Sequence, residues 1–189
     1  MPQHHPDETL LIEYAAGSLG EAKALLVATH LAMCPACREA VRVGETAGAA
    51  LAFSDSEAVG TGPEPDVTAV AVDSTMPAVS PSAPPTVPEP LRGYLGAPVS
   101  ELPWVGVWRG MKAYALPEFE GRESVRLLSI EPNRRMPRHT HEGQELTLVL
   151  RGSFFDASGT FAKGDVATAD PSVDHQPRAG AEETCLCLA

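Results

Sequence analysis

His30, Cys34 and Cys37 fall close together in THLAMCPAC, and His4 and His5 precede them near the start of the chain. Imidazole and thiolate are good ligands for a borderline-soft cation, and two cysteines separated by two residues can clasp one ion. His30 and Cys34 are four apart, a spacing that puts both side chains on one face of a helix. Zinc takes four such donors in a tetrahedron, so the fourth must come from His4 or His5 if the chain folds back. Two other chemistries compete for this cluster. Cys-Pro-Ala-Cys at a helix start could exchange a disulfide, but no strand precedes it and His30 would have no role. Two buried cysteines beside a surface histidine is the bland alternative. Only a metal uses every residue of the pattern.

A second cluster lies in RHTHEGQE. His139 and His141 alternate, so on a strand both imidazoles point the same way. Glu145 follows beyond a turn, and His175 stands at the far end of the stretch that opens with Gly164-Asp165. Three imidazoles and a carboxylate meeting inside a β structure suit zinc, iron, manganese or nickel. Three of the chain's 6 histidines fall here, which argues against scattered surface charge. Cys185 and Cys187, two apart in TCLCLA, share one face of a strand. They are expected to pack as small hydrophobes, with a redox role as the sharper alternative.

The elements that must position these groups fall into two kinds. Residues 1–53 read as a small helical bundle. Leu10, Leu11 and Tyr14 have helical spacing and Gly17 is placed to cap. Ser18-Leu19-Gly20-Glu21 has the form of a capping box, opening a second helix that runs to about Ala32. Pro35 suits the first turn of a third helix, from which its missing N–H is no loss. So small a bundle gains from a structural metal. Residues 54–92 are dense in proline and glycine and read as a linker. Residues 93–189 hold short β-rich runs (WVGVWRGMKAYAL, SVRLLSI, LTLVLRGSF, GDVATAD, TCLCLA) divided by turn residues. The expected fold is multidomain α + β, with a helical bundle, a linker and a C-terminal β-sandwich or barrel.

The chain has 189 residues and a formal net charge of −11, which works against binding a phosphate backbone. No basic stripe accompanies the first cluster, so direct nucleic-acid binding is not expected; a basic protein partner is. MPQHHPDE has no export signal, no apolar run approaches a membrane span, and the cysteines do not form a secreted disulfide framework. The expected location is the cytoplasm.

The first cluster and its setting, DETLLIEYAAGSLGEAKALLVATHLAMCPAC, resemble the zinc-binding anti-sigma factors of the ChrR type. That resemblance implies a zinc site of His5, His30, Cys34 and Cys37, its register favouring His5 over His4. It also implies that the helical domain binds an extracytoplasmic-function sigma factor and keeps it from RNA polymerase. His139-Thr140-His141, Glu145 and Gly152 are similar to the first cupin motif. The second motif is looser, because Phe161-Ala162-Lys163-Gly164-Asp165 lacks the usual proline, but His175 supplies its histidine. The implied C-terminal fold is cupin-like, with zinc or another divalent metal on His139, His141, Glu145 and His175. ChrR-type proteins have both parts in this order, and the resemblance implies that the cupin part tunes release under oxidative signals such as singlet oxygen or hydroperoxides. A metal-dependent cupin enzyme of dioxygenase type, with the helical part as an interaction module, is the alternative. Two departures accompany the resemblance. FSDSEAVGTGPEPDVTAVAVDS is poor material for the fourth helix that such anti-sigma domains carry. The last apolar run also reaches residue 189, so a final strand or tail present in relatives is expected to be missing.

Overall fold

A computed structural model describes residues 1–54, 87–121 and 123–189. Most of the proline-rich linker, including the stretch in question as a fourth helix, lies outside the described residues.

Helix α1 (Glu8–Ala15) starts where the Asp7 carboxylate accepts from the Leu10 amide at 2.9 Å. It ends in a left-handed turn at Gly17 (φ 68°), with Gly17 N–H donating to the Tyr14 carbonyl and Ser18 N–H to that of Glu13. That closure takes Ser18 out of the expected capping box. Its hydroxyl donates to the Glu13 carbonyl at 3.2 Å, and helix α2 (Glu21–Met33) begins on Gly20 with no side-chain cap. Cys34 breaks from helical geometry at φ −119° and ψ 102°. Pro35 then opens helix α3 (Pro35–Ser54), whose axis turns by 120° from that of α2. No single helix among the described residues is long and apolar enough to cross a membrane.

Helix α4 (Glu89–Leu95) straddles the boundary at which a linker gives way to strands in the sequence reading. Pro90 sits in the first turn, where no amide is needed, and Gly96 caps the end at φ 63°. Leu91 and Leu95, one helical turn apart, are buried, and α4 packs on α2.

Among the described residues nine strands follow: β1 (Val105–Trp108), β2 (Met111–Ala115), β3 (Arg126–Ile130), β4 (Glu145–Arg151), β5 (Ser153–Asp156), β6 (Gly159–Ala162), β7 (Val166–Ala169), β8 (Arg178–Ala179) and β9 (Cys185–Leu188). They form two antiparallel sheets, of order β1-β2-β3-β9-β4-β7 and β6-β5-β8. The final run, β9, is central in the larger sheet, between β3 and β4.

Strand alternation sends side chains to two cores. Leu127, Leu148, Leu186 and Leu188 face the helices and share one continuous core with Leu25, Leu26 and Leu91. Leu128, Ile130, Val149, Cys185 and Cys187 face the other way and meet Phe154 and Phe161 of the smaller sheet. Because both faces of the large sheet are covered, β9 (CLCL) is apolar and buried throughout, and β3 and β4 carry consecutive buried apolar residues at Leu127-Leu128 and Leu148-Val149-Leu150. The helical bundle is thus an outer layer packed on the β-sandwich.

Candidate metal centres

At the first centre the bend between α2 and α3 does the positioning. His30 is in the last turn of α2, Cys34 at the break and Cys37 in the first turn of α3. The N-terminal segment crosses this bend and delivers His5, whose Nδ1 lies 3.5 Å from Cys34 Sγ and 3.3 Å from Cys37 Sγ. The donor atoms of His5, His30, Cys34 and Cys37 all lie within 4.8 Å of one another. His4 turns away and its ring lies on Phe161 at 4.6 Å, so of the two candidate histidines His5 joins the cluster.

These donors fit zinc. His30 is fully buried, its Nδ1 is satisfied by the Gly164 carbonyl at 2.8 Å, and its Nε2 is without a hydrogen-bond partner. A buried ring nitrogen left without a partner costs free energy that a metal bond would recover. Burial holds the His30 imidazole below its usual pKa, with the Gly164 carbonyl opposing, which favours the neutral, ligating form. Burial and the neighbouring Cys34 sulfur push the Cys37 thiol up to about 12. A nucleophilic dithiol needs the opposite shift, so the protein environment disfavours the exchange chemistry and leaves thiolate formation to a bound cation.

The second centre lies at one end of the sandwich. His139 and His175 form an isolated antiparallel bridge between loops, and His141 follows two residues on. The ring centroids of the three imidazoles are 4.7–5.1 Å apart, and their ligand atoms group within 4.8 Å. Each ring has its Nδ1 occupied from outside. His139 Nδ1 meets the Pro137 carbonyl at 2.8 Å, His141 Nδ1 the Glu145 carboxylate at 2.9 Å, and His175 Nδ1 the Asp156 carboxylate at 2.8 Å. This arrangement leaves the three Nε2 atoms for a cation, with His141 and His175 Nε2 only 2.9 Å apart. Glu145, the fourth expected member, stands behind His141, where it also accepts from the Thr147 hydroxyl at 3.1 Å.

Asp156 is the residue that spacing did not reveal. In FFDASGT it has the look of a hairpin-turn aspartate, and it does accept from Ser158 N–H at 2.8 Å. Burial pushes its carboxyl up, but the bonds from Ser158 and His175 prevail and hold it below the usual range. Nothing local in the sequence marks its pairing with a histidine 19 positions later.

The second centre is open. His139, His141 and Glu145 line a cleft of about 520 Å³, one wall of which is Ala22, Lys23 and Leu26 of α2. On the inner side, Cys187 shares a small cavity with His139, His175 and Asp156. Cys185 and Cys187 are buried with their sulfurs 3.4 Å apart. The Cys185 sulfur and burial push the Cys187 thiol well up, so it rests as a thiol in the core.

Comparison with known proteins bears on both parts of the chain. The family described as ChrR cupin-like domain matches residues 95–189, and a zinc-finger family matches residues 8–38. The anti-sigma-E factor ChrR of Cereibacter sphaeroides is 37% identical over 190 aligned residues, which cover 99% of this chain and 88% of that protein. The crystal structure of Rhodobacter sphaeroides SigE in complex with the anti-sigma ChrR contains a chain 34% identical to this one. It superposes with a TM-score of 0.80, covering 100% of this chain and 98% of that one. With a helical bundle bearing a histidine–cysteine cluster, packed on a cupin-like sandwich, this chain belongs to the ChrR family of anti-sigma factors.

Proposed function

We propose that this protein inhibits an extracytoplasmic-function sigma factor by binding it through the helical bundle, in the cytoplasm. The observation that carries the reading is likeness to a ChrR chain, from a complex with SigE, along the whole length of both chains. Physical features support it. Ile12 of α1 and Val43 of α3 expose 60% and 54% of their surface and offer apolar contacts to a partner. The net charge of −11 suits the basic surfaces with which a sigma factor meets polymerase and promoter.

In this reading His5, His30, Cys34 and Cys37 hold zinc. Zinc would supply a rigid tetrahedral crosslink between the N-terminal segment and the α2–α3 bend. The bend in turn sets the angle between the helices that present Ile12 and Val43. His139, His141 and His175 would hold a second divalent cation through Nε2, with Glu145 and Asp156 orienting their rings. The cupin-like domain would respond to oxidants and lower affinity for the sigma factor, since release requires a differential effect on bound and free states. The boundaries 1–53, 54–92 and 93–189 are carried into this reading as its anti-sigma, linker and regulatory parts.

The test is transcription from a promoter dependent on such a sigma factor, using reconstituted polymerase. Stoichiometric addition of the protein is expected to silence it, and transcription that proceeds unchanged sinks the proposal. The open second centre favours one other reading, a cupin oxygenase. That reading requires oxygen consumption with a small organic substrate by iron-loaded protein.

A further inference from the structure

The helical bundle and the β-sandwich meet at one point that touches the first metal centre directly. His30 Nδ1 lies 2.8 Å from the carbonyl oxygen of Gly164, in the turn between β6 and β7. The next residue, Asp165, is 3% exposed and has no cationic partner among its hydrogen bonds. Its Oδ1 accepts from the backbone amides of Gln3 at 2.6 Å and His4 at 3.0 Å, and its Oδ2 from that of Ala162 at 2.8 Å. Val166 N–H then donates to the His4 carbonyl at 3.1 Å. Residues 3 and 4 are therefore pinned to the sandwich, and His5 is the next residue. Burial pushes the Asp165 carboxyl up, but the amides it accepts from outweigh that and keep it ionised at neutral pH.

The turn is itself fixed to the sheet. Gly164 N–H donates to the Val149 carbonyl at 2.7 Å, and Val149 N–H donates to that of Asp165 at 3.0 Å. Gly164 has φ 93°, and a Cβ there would lie 2.7 Å from Pro2 Cγ, so glycine permits the close approach of the N-terminal segment. The Gly-Asp pair that reads as a degenerate cupin motif thus has a second use.

We propose that the Gly164–Asp165 turn is part of the N-terminal metal centre. It is a positioning element supplied by the cupin-like domain, which orients His30 through its Nδ1 and holds His5 through the backbone of residues 3 and 4. Three of the four donors sit on the bundle's own bend; the sandwich orients one of them, His30, and holds the segment that carries the fourth, His5. The inference rests on the zinc reading of that centre, and its test separates the two.

Cobalt titration of the full chain reads this centre through the thiolate-to-cobalt charge-transfer band of its cysteines, since the second cluster is formed by histidines, and loss of the band in Cys34→Ser with Cys37→Ser assigns it. Zinc competition against the bound cobalt then ranks affinity. Asp165→Ala is expected to weaken binding by about 10–100-fold, the usual effect of losing an outer-sphere partner. Asp165→Asn, which keeps one acceptor oxygen, is expected to lose less. Removing residues 2–4, so that Met1 precedes His5, deletes the amide donors without altering the sandwich and is expected to match Asp165→Ala. The near-ultraviolet circular dichroism of Trp104 and Trp108 checks the fold, and if Asp165→Ala disturbs it the shortened chain decides. Unchanged affinity in the shortened chain overturns the proposal. Absence of the band in the unaltered chain, or a band that persists in Cys34→Ser with Cys37→Ser, overturns the zinc reading beneath it.

Discussion

At the first centre the cysteines and His30 are buried, and His5 closes the cluster from the N-terminal segment. At the second, three half-buried imidazoles group together, two of them, His139 and His141, on a cleft of about 520 Å³, with carboxylates behind His141 and His175. A complete set of four nitrogen and sulfur donors is the pattern of a structural site, whereas three histidines facing space leave coordination positions for water or a small molecule. In the proposed reading the first would hold shape and the second would exchange ligands. His30 and the three histidines of the second centre share one device at the outer nitrogen, a backbone carbonyl or carboxylate on Nδ1 that leaves Nε2 inward, whereas His5 turns its Nδ1 to the sulfurs. The contrast therefore lies mainly in the sulfur donors and in access.

Breaking the closed centre should have the largest effect. Replacing Cys34 and Cys37 together by serine is expected to abolish zinc at that site, read by metal analysis. A structural zinc site commonly contributes about 10–16 kcal/mol of binding free energy to folding, so the α2–α3 bend should loosen, seen as loss of helical circular dichroism. Next comes His141→Ala. Metal at the second centre should be lost while the sigma complex still forms on a sizing column, and oxidant-triggered release should be blunted. If His141→Ala abolished complex formation instead, the division of labour between centres would be wrong.

A smaller effect tests whether the two parts are mechanically separate. Leu127 is fully buried in the core shared by helices and sheet. Leu127→Ala is expected to cost about 2–5 kcal/mol, and helical and aromatic signals should lose stability together in denaturant melts. Transitions that part company would show two independent units. The smallest effect is expected from Asp156→Asn, which keeps size but loses the charge on His175. Metal affinity at the second centre should fall by about 10–100-fold by equilibrium competition, with the first centre unaffected.

Much of this was legible in the sequence because it rests on local spacing. His30, Cys34 and Cys37 declare themselves through the i, i+4 and two-residue intervals, and Pro35 and Gly17 mark the helix ends they serve. The strand runs are equally local. What escaped depends on contacts between distant residues. Ser18 has a capping-box partner in sequence, but the α1 closure claims its hydroxyl and its amide. Glu89–Leu95 is hidden among prolines because only burial of Leu91 and Leu95 on α2 makes that short helix worthwhile. Asp156 and Asp165 each look like turn residues, and their roles exist only once His175 and the N-terminal segment fold onto them. Glu145 carries the spacing of a metal ligand, yet its carboxylate rests on the outer nitrogen of His141.

The central claim is that zinc at the closed centre shapes the surface that binds a sigma factor. Its most direct measurement is co-purification of the full chain with a cognate extracytoplasmic-function sigma factor, counting metal in the complex. The account predicts an equimolar complex that retains zinc and fails to form when Cys34 and Cys37 are serine. An intact complex from the serine variant, free of zinc at that centre, would contradict it.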